Sequence, residues 1–140
     1  TAFIDQIDFD DIESKPNFNA GDTYTQAKLS MEMFSIDLAK KLEGAGVTVN
    51  YLYPGYIKSN LLSNLQGAAK MMQFFMNVMA SPTKVGADRI VRLAISSEYK
   101  GKTGTYVSED KITPPHKQAL IGSKRNHLKK ISDNALKQWL

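Results

Sequence analysis

Tyr24 and Lys28 stand four residues apart in the stretch Asp22-Thr-Tyr-Thr-Gln-Ala-Lys-Leu, at the start of a strongly helical pattern. Side chains at that spacing leave a helix on one side. A phenol beside an ammonium can act as a proton-transfer device. The positive charge favours the phenolate, and a tyrosine so tuned can give a proton to a substrate oxygen or take one from it. The pair alone carries little weight. With six tyrosines and a lysine-rich composition in 140 residues, one Tyr-x-x-x-Lys is about as expected by chance as not. The plain alternative is a surface tyrosine packed on a lysine stem.

The elements around the pair must decide. The pattern predicts a helix over about 23–42, with Asp22 as N-cap and Lys40-Lys41 then Gly44 at its end. Ala27, Met31, Phe34, Leu38 and Leu42 form one apolar stripe, and Leu29, Met33 and Ile36 form a second on nearly the opposite side. Such a helix is expected to be buried on both faces, one on a sheet and the other on a further helix or a second subunit. Tyr24 and Lys28 fall at the edge of the first stripe, within reach of a cleft beside the sheet.

Gly44-Ala-Gly46 then leads into a β-prone run, Val47 to Tyr53, suited to a parallel strand covered on both faces. These glycines lie between a helix and the following strand, the wrong order for a dinucleotide fingerprint. Pro54-Gly55 closes the strand, and ligands of open parallel sheets sit beyond the strands' carboxyl ends. A rigid turn there could offer backbone groups to a planar amide. An ordinary turn explains the two residues equally well.

Residues 66–80 concentrate methionine and phenylalanine and suit either core packing or a mobile lid over an apolar ligand. Ser81-Pro82 opens a helix reaching about Ser97, with Val85, Ile90, Val91, Leu93, Ala94 and Ile95 as its expected buried residues. A turn and short strand come next, over 101–107. Pro114-Pro115 breaks the chain before a basic amphipathic helix over about 123–140, with Leu128, Ile131, Leu136 and Trp139 as anchors. Residues 1–21 read as an acidic loop laid over a larger body through Ile4, Ile7, Phe9 and Ile12.

Composition narrows the chemistry. A chain of 140 residues that is 42% hydrophobic and 23% charged is an ordinary globular domain. The net charge of +4 reads as solubility plus a basic tail, without pointing to nucleic acid. The absence of cysteine excludes disulfides, thiol catalysis and cysteine-ligated metal, and His116 and His127 have no partners at metal-ligand spacing. No apolar run reaches the length of a membrane span. The opening Thr-Ala-Phe-Ile-Asp has neither a basic start nor an initiator methionine, and reads as the interior of a longer protein.

Taken in order, Tyr24-Thr-Gln-Ala-Lys28, the strand Val47 to Tyr53, Pro54-Gly55-Tyr-Ile-Lys-Ser59, Ser81-Pro82 and Gly101-Lys-Thr-Gly-Thr-Tyr-Val107 resemble the C-terminal half of the short-chain dehydrogenase/reductase family. The leader Ile-Asp-Phe-Asp-Asp-Ile and the final helix with Trp139 are most similar to its retinol-dehydrogenase-like members. The resemblance implies an α/β fold: the C-terminal part of a doubly wound parallel-sheet, Rossmann-type domain, incomplete over 1–140. It implies a NAD(P)-dependent oxidoreductase interconverting an alcohol and a carbonyl, with NADP or NAD as cofactor and a lean to NADP. Tyr24 is then the general acid or base, and Lys28 tunes it and binds the nicotinamide ribose. Pro54 and Gly55 line the nicotinamide, Ile57 offers backbone groups to its carboxamide, and Ser59 supplies a hydroxyl where the family has threonine.

The same resemblance makes 60–80 a substrate loop for a small apolar alcohol or carbonyl. It implies a homodimer or homotetramer through the helix 23–42, the second stripe at 29–36 forming the interface. A cytoplasmic location is the default. The phosphate-binding glycines, the ribose selector and the catalytic serine of the family have no counterpart here. Ser14, ten residues before Tyr24, lies in an acidic loop with no strand ending at it. The chain alone is therefore expected to be inactive, and the alternative is a truncated relative serving as an interaction or structural module.

Overall fold

The computed structural model describes residues 7–16, 18–58, 78–137 and 139. Ser59 and all but the last residues of the 60–80 loop lie outside these, so the lid and hydroxyl expectations do too. Helix α1 spans Ala20–Lys41, three residues longer at its start than the sequence pattern indicates. Asn19, and not Asp22, is the N-cap: its side-chain oxygen accepts hydrogen bonds from the Gly21 and Asp22 N–H groups at 2.9 and 3.2 Å. A cap of this kind is worth about 1 kcal/mol. Asp22 instead places a negative charge in the first turn, where the helix dipole favours it.

The core forms on the second stripe of α1. Leu29, Met33 and Ile36 are buried together with Ile7, Ala119 and Leu128, while Phe9, Ile12 and Tyr51 pack around them. Burying Leu29 and Met33, each at most 1% exposed, contributes about 2 kcal/mol apiece. The first stripe faces outward: Met31 is 61% exposed and Phe34 63%. This corrects the expected division of labour. The 29–36 stripe cannot be a subunit interface, because Ala119, Leu128 and the leader loop of the same chain already cover it.

The leader loop behaves as expected over its described part. Ile7 enters the core, and Phe9 stacks on His127 at 4.5 Å between ring centroids. Beyond α1, strand β1 (Tyr51–Tyr53) pairs in parallel with β2 (Tyr106–Ser108), which pairs antiparallel with β3 (Lys111–Ile112). The regular strand is shorter than the Val47–Tyr53 run. Ahead of it side chains supplement the Gly104 N–H to Val49 C=O backbone bond, as Asn50 bonds the Lys102 C=O and the Thr105 N–H while Val49 N–H donates to Thr103 Oγ1. Val47 is 54% exposed. The result is a mixed α/β unit with a small sheet, consistent with part of a Rossmann-type domain.

Helix α2 covers Thr83–Ile95 and helix α3 covers Gly122–Leu136. Both carry corrections. On α2 only Gly86 is buried, and Ile90, Val91 and Ile95 are exposed, since no element among the described residues packs on that side. On α3 Leu128 anchors as expected, but Leu136 at its end and Trp139 beyond it are exposed. Its strongest tie is polar: the buried Arg125 donates to Asp37 Oδ1 at 2.6 Å and to the Ala119 C=O at 2.7 Å, joining α3 to α1.

The direction of α1 relative to the sheet positions the candidate site. A Cβ placed on Gly104, just ahead of β2, would stand 3.6 Å from the Cβ of Ala39 near the helix's carboxyl end. Nearer the amino end, the Glu32 carboxylate is close enough to Tyr51 and Tyr106, on the strands themselves, to push their phenols up. Moving toward the start of the helix is thus moving along the strands, so α1 runs antiparallel to β1 and β2. At about 1.5 Å per residue, Lys28 and Tyr24 lie one to two turns further, at the carboxyl end of the strands.

The two faces of α1 can be told apart by truncation. Met33→Ala should cost about 2–5 kcal/mol in urea unfolding, whereas Met31→Ala should cost within about 0.5 kcal/mol of nothing. Equal losses would contradict this division of the helix.

Candidate active site

Tyr24 and Lys28 leave the exposed side of α1 together, with Lys28 Nζ 5.4 Å from the centre of the Tyr24 ring. The residues between them fix that orientation. Thr25 is buried and its hydroxyl donates back to the Gly21 C=O at 2.6 Å. Gln26, also buried, accepts from the Asp8 N–H at 2.8 Å and donates to the Asp11 and Ile12 carbonyls. A buried amide so satisfied locks the rotation of the helix against the leader loop. Sequence reasoning gave Gln26 no role. The signal was a polar residue aligned with the core stripe through Leu29 and Met33, one turn before it.

Tyrosine is plentiful in this chain, and its environments differ. Burial is the first cause that pushes the phenols of Tyr51, Tyr53 and Tyr106 above their ordinary range. The Glu32 carboxylate adds to this at Tyr51 and Tyr106. Those three keep their protons at neutral pH and are unsuited to serve as bases. Tyr24, 53% exposed at the helix start, is accessible to a substrate. Ser14 lies in a turn with φ of 51°, its N–H bonded to the Asp11 C=O, and no strand ends there.

Pro54, Gly55 and Ile57 gather at the carboxyl end of β1, where the carbonyls of Tyr53, Pro54 and Tyr56 each have a partner. Tyr53 C=O accepts from the Glu109 N–H at 2.7 Å, and Pro54 C=O accepts from Arg89 Nη1 at 2.5 Å. Tyr56 C=O accepts from the Ser81 N–H at 2.8 Å, while Lys58 N–H donates to the Ser81 C=O at 2.9 Å. These last two form a parallel bridge between Ile57 and Ser81. In such a bridge the N–H and C=O of Ile57 itself turn to the opposite side. No hydrogen bond among the described residues uses them. One donor beside one acceptor is the complement of a planar carboxamide, so this segment fits the group expected of it. No direct polar contact among the described residues joins it to Tyr24 or Lys28; the two parts share an end of the sheet.

Arg89, unassigned from sequence, organises this end. Its guanidinium also donates to Asp110 Oδ2 at 2.6 Å through Nη2 and at 3.1 Å through Nε, and Arg92 reaches Asp110 Oδ1 at 3.4 Å. The hydrogen bond from Arg89, then the charges of Arg89 and Arg92, hold the Asp110 carboxyl below its ordinary range. A depressed carboxylate stabilises the fold above its unfolded pKa, and that contribution is lost as pH falls through the lower folded value. The stability difference between the wild type and Asp110→Asn should therefore be constant above about pH 5 and close below about pH 4. A difference unchanged down to pH 2 in acid-titrated urea unfolding would show that the ionised carboxylate contributes nothing to stability.

No family model matches the chain. Among curated proteins it is 34% identical to human retinol dehydrogenase 14 over 108 residues, covering 75% of this chain and 32% of that protein. It is 28% identical to human retinol dehydrogenase 12 over 110 residues, 79% of this chain and 34% of the relative. It is 30% identical to the chloroplastic short-chain dehydrogenase TIC 32 B of Brassica napus over 124 residues, 85% of this chain and 38% of the relative. The chain spans about a third of the length of these relatives. With the parallel pair, the helix bearing Tyr24 and Lys28 and the Pro54-Gly55 turn, these similarities identify the chain as a member of the short-chain dehydrogenase/reductase family, of the retinol-dehydrogenase-like kind.

Proposed function

We propose that the protein carrying this chain is a NAD(P)-dependent oxidoreductase interconverting an alcohol and a carbonyl, with Tyr24 as its acid or base. The observation that supports this reading is the exposed Tyr24–Lys28 pair on α1, together with the N–H and C=O of Ile57 left unclaimed among the described residues just beyond β1. A proton-handling group and a carboxamide-binding edge at the carboxyl ends of parallel strands are what hydride chemistry on a carbonyl needs.

A nicotinamide cofactor, when bound, supplies or accepts the hydride. The chain's own residues do the rest. Ile57 would hold the carboxamide through its N–H and C=O, and Pro54 and Gly55 would line the nicotinamide. In reduction the Tyr24 hydroxyl gives its proton to the carbonyl oxygen as that oxygen becomes an alkoxide. In oxidation the same oxygen takes the proton from the alcohol. Lys28, its Nζ 5.4 Å from the centre of the Tyr24 ring, would add a positive charge to the site and a donor for a ribose hydroxyl. Ser59 completes the cofactor contacts in this reading.

The substrate is a small apolar alcohol or carbonyl compound. Support comes from the relatives named for retinol, an apolar alcohol, and from the methionine and phenylalanine content of 66–80. NADP is the preferred nucleotide, with NAD the alternative to be tested beside it. Self-association through α1 would use Ala27, Met31 and Phe34, the face left open, and not the 29–36 stripe. Among the described residues no helix is long and apolar enough to cross a membrane.

In the full-length protein Tyr24→Phe should lower turnover of an apolar aldehyde by about a hundredfold or more. Nucleotide affinity should stay within about twofold, because the phenyl ring is kept. Steady-state kinetics and nicotinamide fluorescence titration measure the two quantities. Turnover retained in Tyr24→Phe would remove Tyr24 from the chemistry.

A further inference from the structure

Arg89 is an α2 residue with no place in the proton chemistry, yet its side chain is only 12% exposed, against 44% for Arg92 one turn on. A guanidinium of this kind seeks carboxylates, and Arg89 has two, Asp110 at 2.6 Å and Glu109 at 3.4 Å. It also donates to a neutral backbone oxygen, Pro54 C=O, at 2.5 Å. That carbonyl belongs to the peptide linking Pro54 to Gly55, whose φ of +84° makes the turn possible. A Cβ on Gly55 would stand 3.0 Å from Arg89 Nη1 and 3.2 Å from the Glu109 side chain. The turn is therefore wrapped by side chains from α2 and from the β2–β3 connection.

A second pin comes from the same helix. Gly86, three residues before Arg89, is buried, and a Cβ there would meet the Ile57 side chain at 3.1 and 3.2 Å. Helix α2 thus grips the segment at both ends, through van der Waals contact at Ile57 and a charge-assisted hydrogen bond at Pro54. Between the two pins lies the peptide edge of Ile57.

We infer that Arg89, held by Asp110, is a positioning residue that sets the Gly55–Ile57 peptides for the nicotinamide end of the cofactor. The assignment rests on the oxidoreductase reading for its ligand and on the geometry alone for its grip on the turn. The contact Arg89 makes with this segment is its hydrogen bond to the Pro54 C=O, and it acts through that turn. Losing it frees the Pro54 carbonyl to rotate and turns the Ile57 donor and acceptor out of line. The adenosine end of the nucleotide, bound elsewhere, is untouched.

The test uses the full-length protein with Arg89→Met, and Arg89→Lys if the first variant does not fold. Binding of NADPH and NADH should weaken by about tenfold, while competition by ADP-ribose and its 2′-phosphate, which lack nicotinamide, should stay within about twofold. Amide exchange over 54–58 should accelerate about tenfold or more. Arg89→Lys, which keeps a donor but loses the planar fork, should fall between. Equal weakening of the nicotinamide nucleotides and the ribose fragments overturns the positioning role, and so does no weakening of either. If the wild type binds no nucleotide, the oxidoreductase reading fails, and unchanged exchange over 54–58 in the variant then overturns the grip on the turn as well.

Discussion

The core of the described residues is arranged around one requirement: α1 must bury Leu29, Met33 and Ile36. The helix is apolar on two opposite sides, and the described segments on either side of it in the chain cover only one. The leader loop supplies Ile7, Phe9 and Ile12, the 3₁₀ turn Lys117–Leu120 supplies Ala119, and α3 supplies Leu128. Polar contacts then fix the rotation. Gln26 ties the helix to the leader, Glu32 accepts from the His116 N–H at 2.7 Å, and Asp37 holds Arg125. Covering that side turns Tyr24 and Lys28 to the other. The orientation of the proposed proton-transfer pair is thus a consequence of core formation, without any contact the pair makes itself.

The opposite end of the proposed site is built by a different kind of force. Its segment, Pro54 to Lys58, has little apolar surface to bury and many backbone groups to satisfy. Several in and beside it are met individually: Glu109 N–H at Tyr53, Arg89 at Pro54, Ser81 at Tyr56 and Lys58. The N–H and C=O of Ile57, turned away from the bridge to Ser81, are among the groups unclaimed within the described residues. Hydrogen bonds fix direction where hydrophobic contact does not, and a binding edge that must present one donor and one acceptor needs direction. The outward stripe of α1 serves neither part of the site, since Met31 and Phe34 point away from the core that orients Tyr24.

Much of this was legible from residue order. The helix around Tyr24 and Lys28, the turn at Pro54-Gly55, the helix after Ser81-Pro82 and the short strand near Val107 all carry local signals of period or backbone preference. Where the reading failed, it failed on partners. Asn19 displaced Asp22 as N-cap because either residue caps well and only the start of the helix chooses between them. Ile90, Val91 and Ile95 form an apolar face as patterned, but a pattern does not provide an element to cover it. Arg89 and Gln26 went unassigned because their value lies in contacts 35 and 18 residues away in sequence.

Local chemistry in the chain specifies the Tyr24–Lys28 spacing, the rigid turn after β1 and the family to which both point, because spacing and backbone preference are properties of neighbours. Which stripe of α1 is core, which carbonyls are taken and which peptide is left to offer itself at Ile57 depend on distant segments meeting. Burial is assigned by whichever surfaces compete for the same face, and a hydrogen bond exists only when its two ends arrive together. Tyr24 and Ile57 therefore acquire a common end of the sheet through the antiparallel course of α1 against β1, a relation carried by packing and by neither residue.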